Sequence, residues 1–337
     1  MKLRFALLVA IVMTASGAAP PASGSPDVHR TATIIPVSGD ITTHDPALIR
    51  AASDWYVFST GDPAVNGGNI GIRRAHDGGA FTFLGTVFAE IPQWVKDAVP
   101  GVSNLWAPDI TQHNGLYYLY YAASTFGSNC SLIGLATNTT LDTVDPRYKW
   151  VDRGEVFHSV PDNDYNAIDP GVVETGSARP YLVFGSFWSG IREIPISWPS
   201  GKPDDPSVVP GRLVDRHVPP NAVEGAYMIE HEGWYYLFAS FDFCCRGVDS
   251  TYKIVVGRSR SVTGPFADEA GRPMLDGGGT VLLSSDQVKV GPGGESVFGD
   301  VIAFHYYDAT RNGAITLGMR RMGWDDGWPV LVTASGQ

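Results

Sequence analysis

Four acidic residues recur along the 337-residue chain, each just ahead of a strand-like run rich in aromatics. Asp45 lies in Thr42-Thr43-His44-Asp45-Pro46, before Trp55-Tyr56-Val57-Phe58-Ser59. Asp109 closes Trp106-Ala107-Pro108-Asp109, before Leu116-Tyr117-Tyr118-Leu119-Tyr120-Tyr121. Asp169 belongs to Asn166-Ala167-Ile168-Asp169-Pro170, before Tyr181-Leu182-Val183-Phe184-Gly185. Glu224 sits in Val223-Glu224-Gly225, before Trp234-Tyr235-Tyr236-Leu237-Phe238. The steps between the acids are 64, 60 and 55 residues. A fifth stretch, Val290-Gly291-Pro292-Gly293, precedes another such run and has no acid at the matching place. Carboxyl groups gathered from distant positions can divide the work of hydrolysis. One keeps its proton and acts as acid, one stays ionised and acts as base, and a third tunes the acid. A single Asp-Pro is ordinarily a turn; the repetition is what points to chemistry.

The elements that must hold these acids follow from the repeat. Short aromatic and β-branched runs alternate with Gly, Asn, Asp and Pro turns, and the chain carries 39 Gly, 24 Pro and 11% aromatics. Asn114-Gly115, Asp77-Gly78-Gly79 and Glu232-Gly233 are hairpin-type turns. Each unit reads as an inner strand with the acid motif, an aromatic second strand, and a third ending in small residues, as in Ser131–Thr137 and Tyr252–Ser259. Units of about 60 residues with several strands are propeller blades plus loops. The expected fold is all-β, a five-bladed β-propeller in one domain over residues 25–337. A β-sandwich is the alternative, but it does not predict five similar units. A short helix is expected around residues 92–98 and a lead-in strand at Thr31–Ile35. Inner strands of a propeller line a central channel, so the acids should meet at one mouth.

The formal charge of −11 and the absence of basic stripes exclude a nucleic-acid partner. The first 24 residues read as a secretory leader, with Lys2 and Arg4, an apolar run from Phe5 to Met13, and then small residues. That run is too short to span a bilayer, no other segment is suited to it, and a secreted monomer is expected. Three cysteines cannot build a disulfide scaffold. Cys244-Cys245 is either a vicinal disulfide or a pair of buried thiols.

Several stretches together resemble the endo-acting arabinanases of glycoside hydrolase family 43. They include Thr43-His44-Asp45-Pro46, Leu105–Asp109, Ser124-Thr125-Phe126-Gly127-Ser128-Asn129 and Tyr165–Pro170. Phe184-Gly185-Ser186-Phe187-Trp188, Val223–Tyr227, Cys244–Gly247, Gly277–Thr280, Gly291–Gly294 and Phe304–Asp308 extend the likeness from about Thr42 to Pro329. The acid motifs alone would also suit xylosidases and arabinofuranosidases of that family; the 124–129 and 185–188 stretches favour arabinanases.

The resemblance implies an inverting hydrolase acting on the linear arabinan of plant pectin. Asp45 would be the general base, Glu224 the general acid, and Asp169 the residue that tunes and orients Glu224. Acid and base would stand roughly 6.5–9.5 Å apart to admit water. Asp109 has no such role and reads as a structural turn acid. Trp106, Phe126, Phe187 and Trp188 are candidate sugar platforms. Asn129, Asn166, Ala167, Ile168 and Ser186 are expected to line the same cleft. His305 would contact a calcium-like ion whose remaining ligands are mostly water; no organic cofactor is implied. The competing readings are an exo-acting enzyme of the same family and a non-catalytic carbohydrate-binding propeller. Two glycosylation sequons occur, at Asn129 and Asn138. Asn138 is expected to face solvent, and Asn129 the cleft.

Overall fold

The computed structural model describes residues 34–332 except 77, 177 and 178. The leader and most of the lead-in strand lie outside the described residues. Five antiparallel four-stranded sheets follow one another along the chain. Blade 1 holds β1 Ala47–Ala51, β2 Asp54–Ser59, β3 Gly71–His76 and β4 Thr82–Thr86. Blade 2 holds β5 Leu105–His113, β6 Leu116–Ala123, β7 Ser131–Asn138 and β8 Val151–Ser159. Blade 3 holds β9 Gly171–Val173, β10 Tyr181–Phe184, β11 Ile191–Pro195 and β12 Gly211–Val214. Blade 4 holds β13 Val223–His231, β14 Trp234–Phe241, β15 Lys253–Ser259 and β16 Thr280–Leu283. Blade 5 holds β17 Lys289–Phe298, β18 Val301–Asp308, β19 Ala314–Asp325 and β20 Trp328–Leu331. The expected five-bladed propeller is therefore present, with a fourth, outer strand in every blade. The expected short helix spans Gln93–Ala98.

The two-residue turns set the hairpins. Asn114-Gly115 joins β5 to β6, and Glu232-Gly233 joins β13 to β14; all four residues have positive φ, as tight hairpins between right-twisted strands require. The core lies between blades rather than within one. Phe58 and Ile49 pack on Leu119 and Ile110 across blades 1 and 2, and Tyr120 packs with Leu182 and Phe184 across blades 2 and 3. Val183 meets Leu237, Phe238 meets Phe304, and Ala303 meets Val57, which completes the circuit. Aromatic second strands are thus the glue between blades, each buried ring contributing about 1.5–3 kcal/mol. The ring is tied shut at blade 5 by the N-terminal lead-in. There Ile35 N–H donates to Met319 O at 3.2 Å and Leu317 N–H donates to Ile41 O at 2.8 Å.

Candidate active site

Three of the five inner strands, β5, β13 and β17, enter the channel through one shared irregularity. In β5 the pairing steps from Trp106↔Ala122 to Asp109↔Tyr120, three residues against two. Blade 4 repeats it with Glu224↔Ser240 and Tyr227↔Phe238, and blade 5 with Gly293↔His305 and Ser296↔Ala303. Such a bulge re-aims side chains at the rim of a sheet. At this point of each blade one residue has left-handed φ: Asp45 (50°), Ala107 (37°), Asp169 (57°), Gly225 (61°) and Gly294 (59°), with Asp45 and Asp169 just after the pairs Thr60 N–H to His44 O and Gly185 N–H to Ile168 O. These five are the equivalent positions, and with their neighbours they line one cavity.

This register corrects the reading of the four acids as equivalent. Asp45 and Asp169 do correspond. Glu224 stands one residue earlier, where blade 2 has Trp106. Asp109 stands two residues later, where blade 5 has Ser296. The Asp109 carboxylate is 3% exposed and accepts the Val172 N–H at 2.8 Å. Ser296 Oγ accepts the Leu48 N–H of its own neighbouring blade at 3.0 Å. Asp109 and Ser296 therefore do the same work, binding one blade to the next. The fifth unit has glycine at the matching place, as expected, but an acid follows it: Glu295 is 5% exposed and lines the cavity. Burial pushes its carboxyl up to about 8, against the hydrogen bond donated by Ser240 Oγ at 2.7 Å.

Asp45 is held on one side only. His44 Nδ1 lies 2.7 Å from its Oδ2, and Thr60 Oγ1 donates to the same oxygen at 2.6 Å. Thr60 Oγ1 is itself fixed by the Ala107 N–H of blade 2 at 2.8 Å. Oδ1 is left toward Gly294, where a Cβ would come within 2.5 Å of it. A side chain there would occupy the space beside the working oxygen, so the glycine serves both the backbone angle and access. Burial would raise the Asp45 pKa. The charge and hydrogen bond of His44, with His305 and Thr60, outweigh it and hold the carboxyl well below the ordinary range.

Glu224 is held in the opposite state. Ser186 Oγ donates to Oε2 at 2.6 Å, and the Tyr252 hydroxyl donates to Oε1. Burial nevertheless raises its pKa, with a contribution from the Asp45 charge, over the opposing effect of those two hydroxyls. Asp169 accepts the N–H of Gly225, the residue after Glu224, at 3.1 Å. Its own pKa is driven up by burial and then by the charges of Glu224 and Asp45. Asp169 and Glu224 thus form a like-charged pair that holds a proton above the ordinary carboxylate range.

The remaining expected residues divide. Phe126 is 90% exposed and Trp188 37% exposed, both on loops leaving second strands, the end of each blade that faces the mouth. Phe187 and Trp188 both have positive φ, and Phe187 N–H donates to Val223 O at 2.9 Å, beside Glu224. Trp106 is half-buried at the mouth. Ser186 meets Glu224 directly. Asn166, Ala167 and Ile168 are buried, as backbone leading into Asp169. Asn129 is not presented to the cleft. Its amide donates to the carbonyls of Val160, Asn163 and Tyr165 at 3.2, 3.0 and 3.2 Å, and so pins the 160–165 loop. Asn138 is also corrected, being 1% exposed, with its Oδ1 accepting the Lys149 N–H at 3.1 Å. Cys244 and Cys245 are joined by a disulfide, and Cys130 is free. Tyr252, Thr60 and Glu295 were not singled out by the sequence. Only the bulge register relates Glu295 to the acid motifs.

Residues 35–329 match Glycosyl hydrolases family 43. The chain belongs to that family. Among curated relatives of this family 43 chain, an extracellular endo-α-(1→5)-L-arabinanase of Bacillus subtilis is 40% identical over 291 residues, 85% of this chain and 86% of that one. An extracellular exo-α-(1→5)-L-arabinofuranosidase of Cellvibrio japonicus is 38% identical, covering 86% of each. Among solved structures, a family 43 endo-arabinanase from Bacillus licheniformis superposes with a TM-score of 0.82 at 39% identity, over 87% of this chain and 99% of that one.

Proposed function

We propose that this family 43 hydrolase is a secreted, inverting endo-1,5-α-L-arabinanase acting on linear arabinan. One observation carries the catalytic assignment: two carboxyls at a single mouth are driven in opposite directions, Asp45 down and Glu224 up. Opposed environments of this kind assign base and acid. Asp45 Oδ1 takes the proton of a water that attacks the anomeric carbon, while Glu224 gives its proton to the departing glycosidic oxygen. Asp169 keeps Glu224 protonated and orients it through the Gly225 N–H. Phe126, Trp188, Phe187 and Trp106 offer apolar faces to furanose rings along the mouth. The arabinan assignment and export rest on the likeness to the extracellular Bacillus subtilis enzyme.

The reaction needs water and two carboxyls and no organic cofactor. A calcium-like ion would have one candidate anchor, His305. His305 is wholly buried, and its Nε2 has no partner among the described residues. Its Nδ1 lies 3.2 Å from the Asp45 N–H and 3.5 Å from Asp45 Oδ1. Because Nδ1 accepts the Asp45 N–H, the ring proton lies on Nε2; a cation held at Nε2, with water as its other ligands, would need that proton moved to Nδ1 at the expense of this bond. Bound there, the ion would add positive charge near the base and favour its ionised form.

Linear arabinan is the test. Endo action lowers viscosity well before reducing ends accumulate. Exo action, the reading favoured by the Cellvibrio japonicus relative, releases short products with viscosity almost unchanged. Activity on xylan instead would remove the substrate assignment.

A further inference from the structure

The loop between β14 and β15 carries a feature the chemistry above does not use. Cys244 and Cys245, adjacent in sequence, are disulfide-bonded, with Cys245 in the left-handed region at φ 65°. A residue with a side chain avoids that region unless something holds it there. Here the bond closes a small ring over the peptide between the two residues. The result is directional. The Cys245 N–H donates to Tyr307 Oη at 2.7 Å. Tyr307 is 2% exposed, and its Oη lies 3.3 Å from His44 Nε2. His44 Nδ1 lies 2.7 Å from Asp45 Oδ2. The contacts run in series: the phenol accepts the peptide N–H, its Oη meets the imidazole at Nε2, and the imidazole Nδ1–H donates to the carboxylate. Cys245 Sγ also sits 3.7 Å from His44 Nε2, and His44 stacks on His305 with centroids 3.8 Å apart. The His44 ring is therefore boxed by His305 on one face and by the phenol and the disulfide at its Nε2 edge.

We propose that the Cys244–Cys245 disulfide is a positioning element for the general base, acting through Tyr307 and His44. It fixes the N–H that fixes the phenol that fixes the imidazole, so that Asp45 presents Oδ1 to water. An exported protein keeps such a bond oxidised. The proposal rests on the assignment of Asp45 as base. If Cys245 relaxes to negative φ, its N–H turns away from Tyr307, His44 gains freedom, and the carboxylate loses its single orientation. Misplacement on this scale lowers turnover more than binding.

The test uses the mature enzyme on linear arabinan, with Asp45→Asn measured first. An Asp45→Asn enzyme that still turns over removes the assignment of the base, and this is a separate failure. With that assignment intact, reduction by a phosphine, verified by thiol titration, is expected to lower kcat about tenfold with KM within about twofold. Reoxidation should restore it. Tyr307→Phe is expected to lose a similar amount and to become insensitive to the reductant, because the two act in series. Cys244→Ser/Cys245→Ser should match the reduced enzyme; if that variant fails to fold, the reductant on the native chain decides alone. A reduced enzyme with unchanged kcat overturns the proposal. So does Tyr307→Phe that keeps full sensitivity to reduction, since the bond would then act by another route.

Discussion

Replacing Asp169 by Asn should move one limb of the pH profile and leave the other in place. Asp169 Oδ2 accepts the Gly225 N–H at 3.1 Å, so its charge lies one peptide away from Glu224. Two unit charges roughly 6 Å apart, at an effective dielectric of about 20, repel by about 3 kcal/mol, which is about two pKa units. The mouth is open to water and the pair shares its proton, so about half of this should survive. Glu224 must hold its proton to work, and activity falls as pH rises through its pKa. Without the neighbouring charge that proton leaves at lower pH. The alkaline limb of kcat/KM should therefore shift down by about one unit. The acid limb reports Asp45, whose carboxyl is held low chiefly by His44, and should stay where it is. The assay is kcat/KM on an arabino-oligosaccharide across the full profile, and any loss of plateau activity does not affect where the limbs lie. An alkaline limb that stays put, or one that moves up, would refute the tuning role.

Further outcomes follow from the same geometry. Asp109 is pushed up to about 7 by burial, so the stability it lends as a neutral group is full below its ordinary value of 3.8 and is lost as pH rises through 7. The loss is at most about 4 kcal/mol by pH 8. Asp109→Asn should gain on the wild type between pH 5 and pH 8 by at least about 4 °C in Tm; parallel melting curves would contradict this. Phe126→Ala should raise KM on linear arabinan by about threefold to tenfold with kcat unchanged, as expected for one lost ring face; an unchanged KM removes Phe126 as a platform. Chelation should lower the Tm of the wild type and not that of His305→Ala, and calcium should restore it, if His305 anchors an ion; equal responses would mean that it does not.

The fold was legible because its signals are local. Aromatic second strands, Asn-Gly and Glu-Gly turns and five similar units all survive translation into structure. The acids were legible as types but not as places. Asp45 and Asp169 share a register, whereas Glu224 and Asp109 lie on either side of it, since a three-against-two bulge shifts the side chains without changing the spacing enough to notice. That is why Glu295 went unseen in a unit that seemed to lack an acid. Asn129 and Asn138 misled because polar residues next to turns usually face water. Here both amides satisfy backbone groups of neighbouring segments, and neither is available to a glycan while the chain is folded. Tyr252 and Thr60 reach the acid and the base from distant stretches, a contact that no sequence spacing encodes.

The most direct test of the acid–base assignment is the hydrolysis of linear arabinan by Glu224→Gln and Asp45→Asn beside the wild type, with arabino-oligosaccharide binding measured on all three. Each variant keeps the shape of the side chain and loses its proton transfer. Turnover should fall by about 10²–10⁴-fold in each, with binding retained. If either variant keeps more than about a tenth of wild-type kcat, the residue is not the acid or base this account makes it.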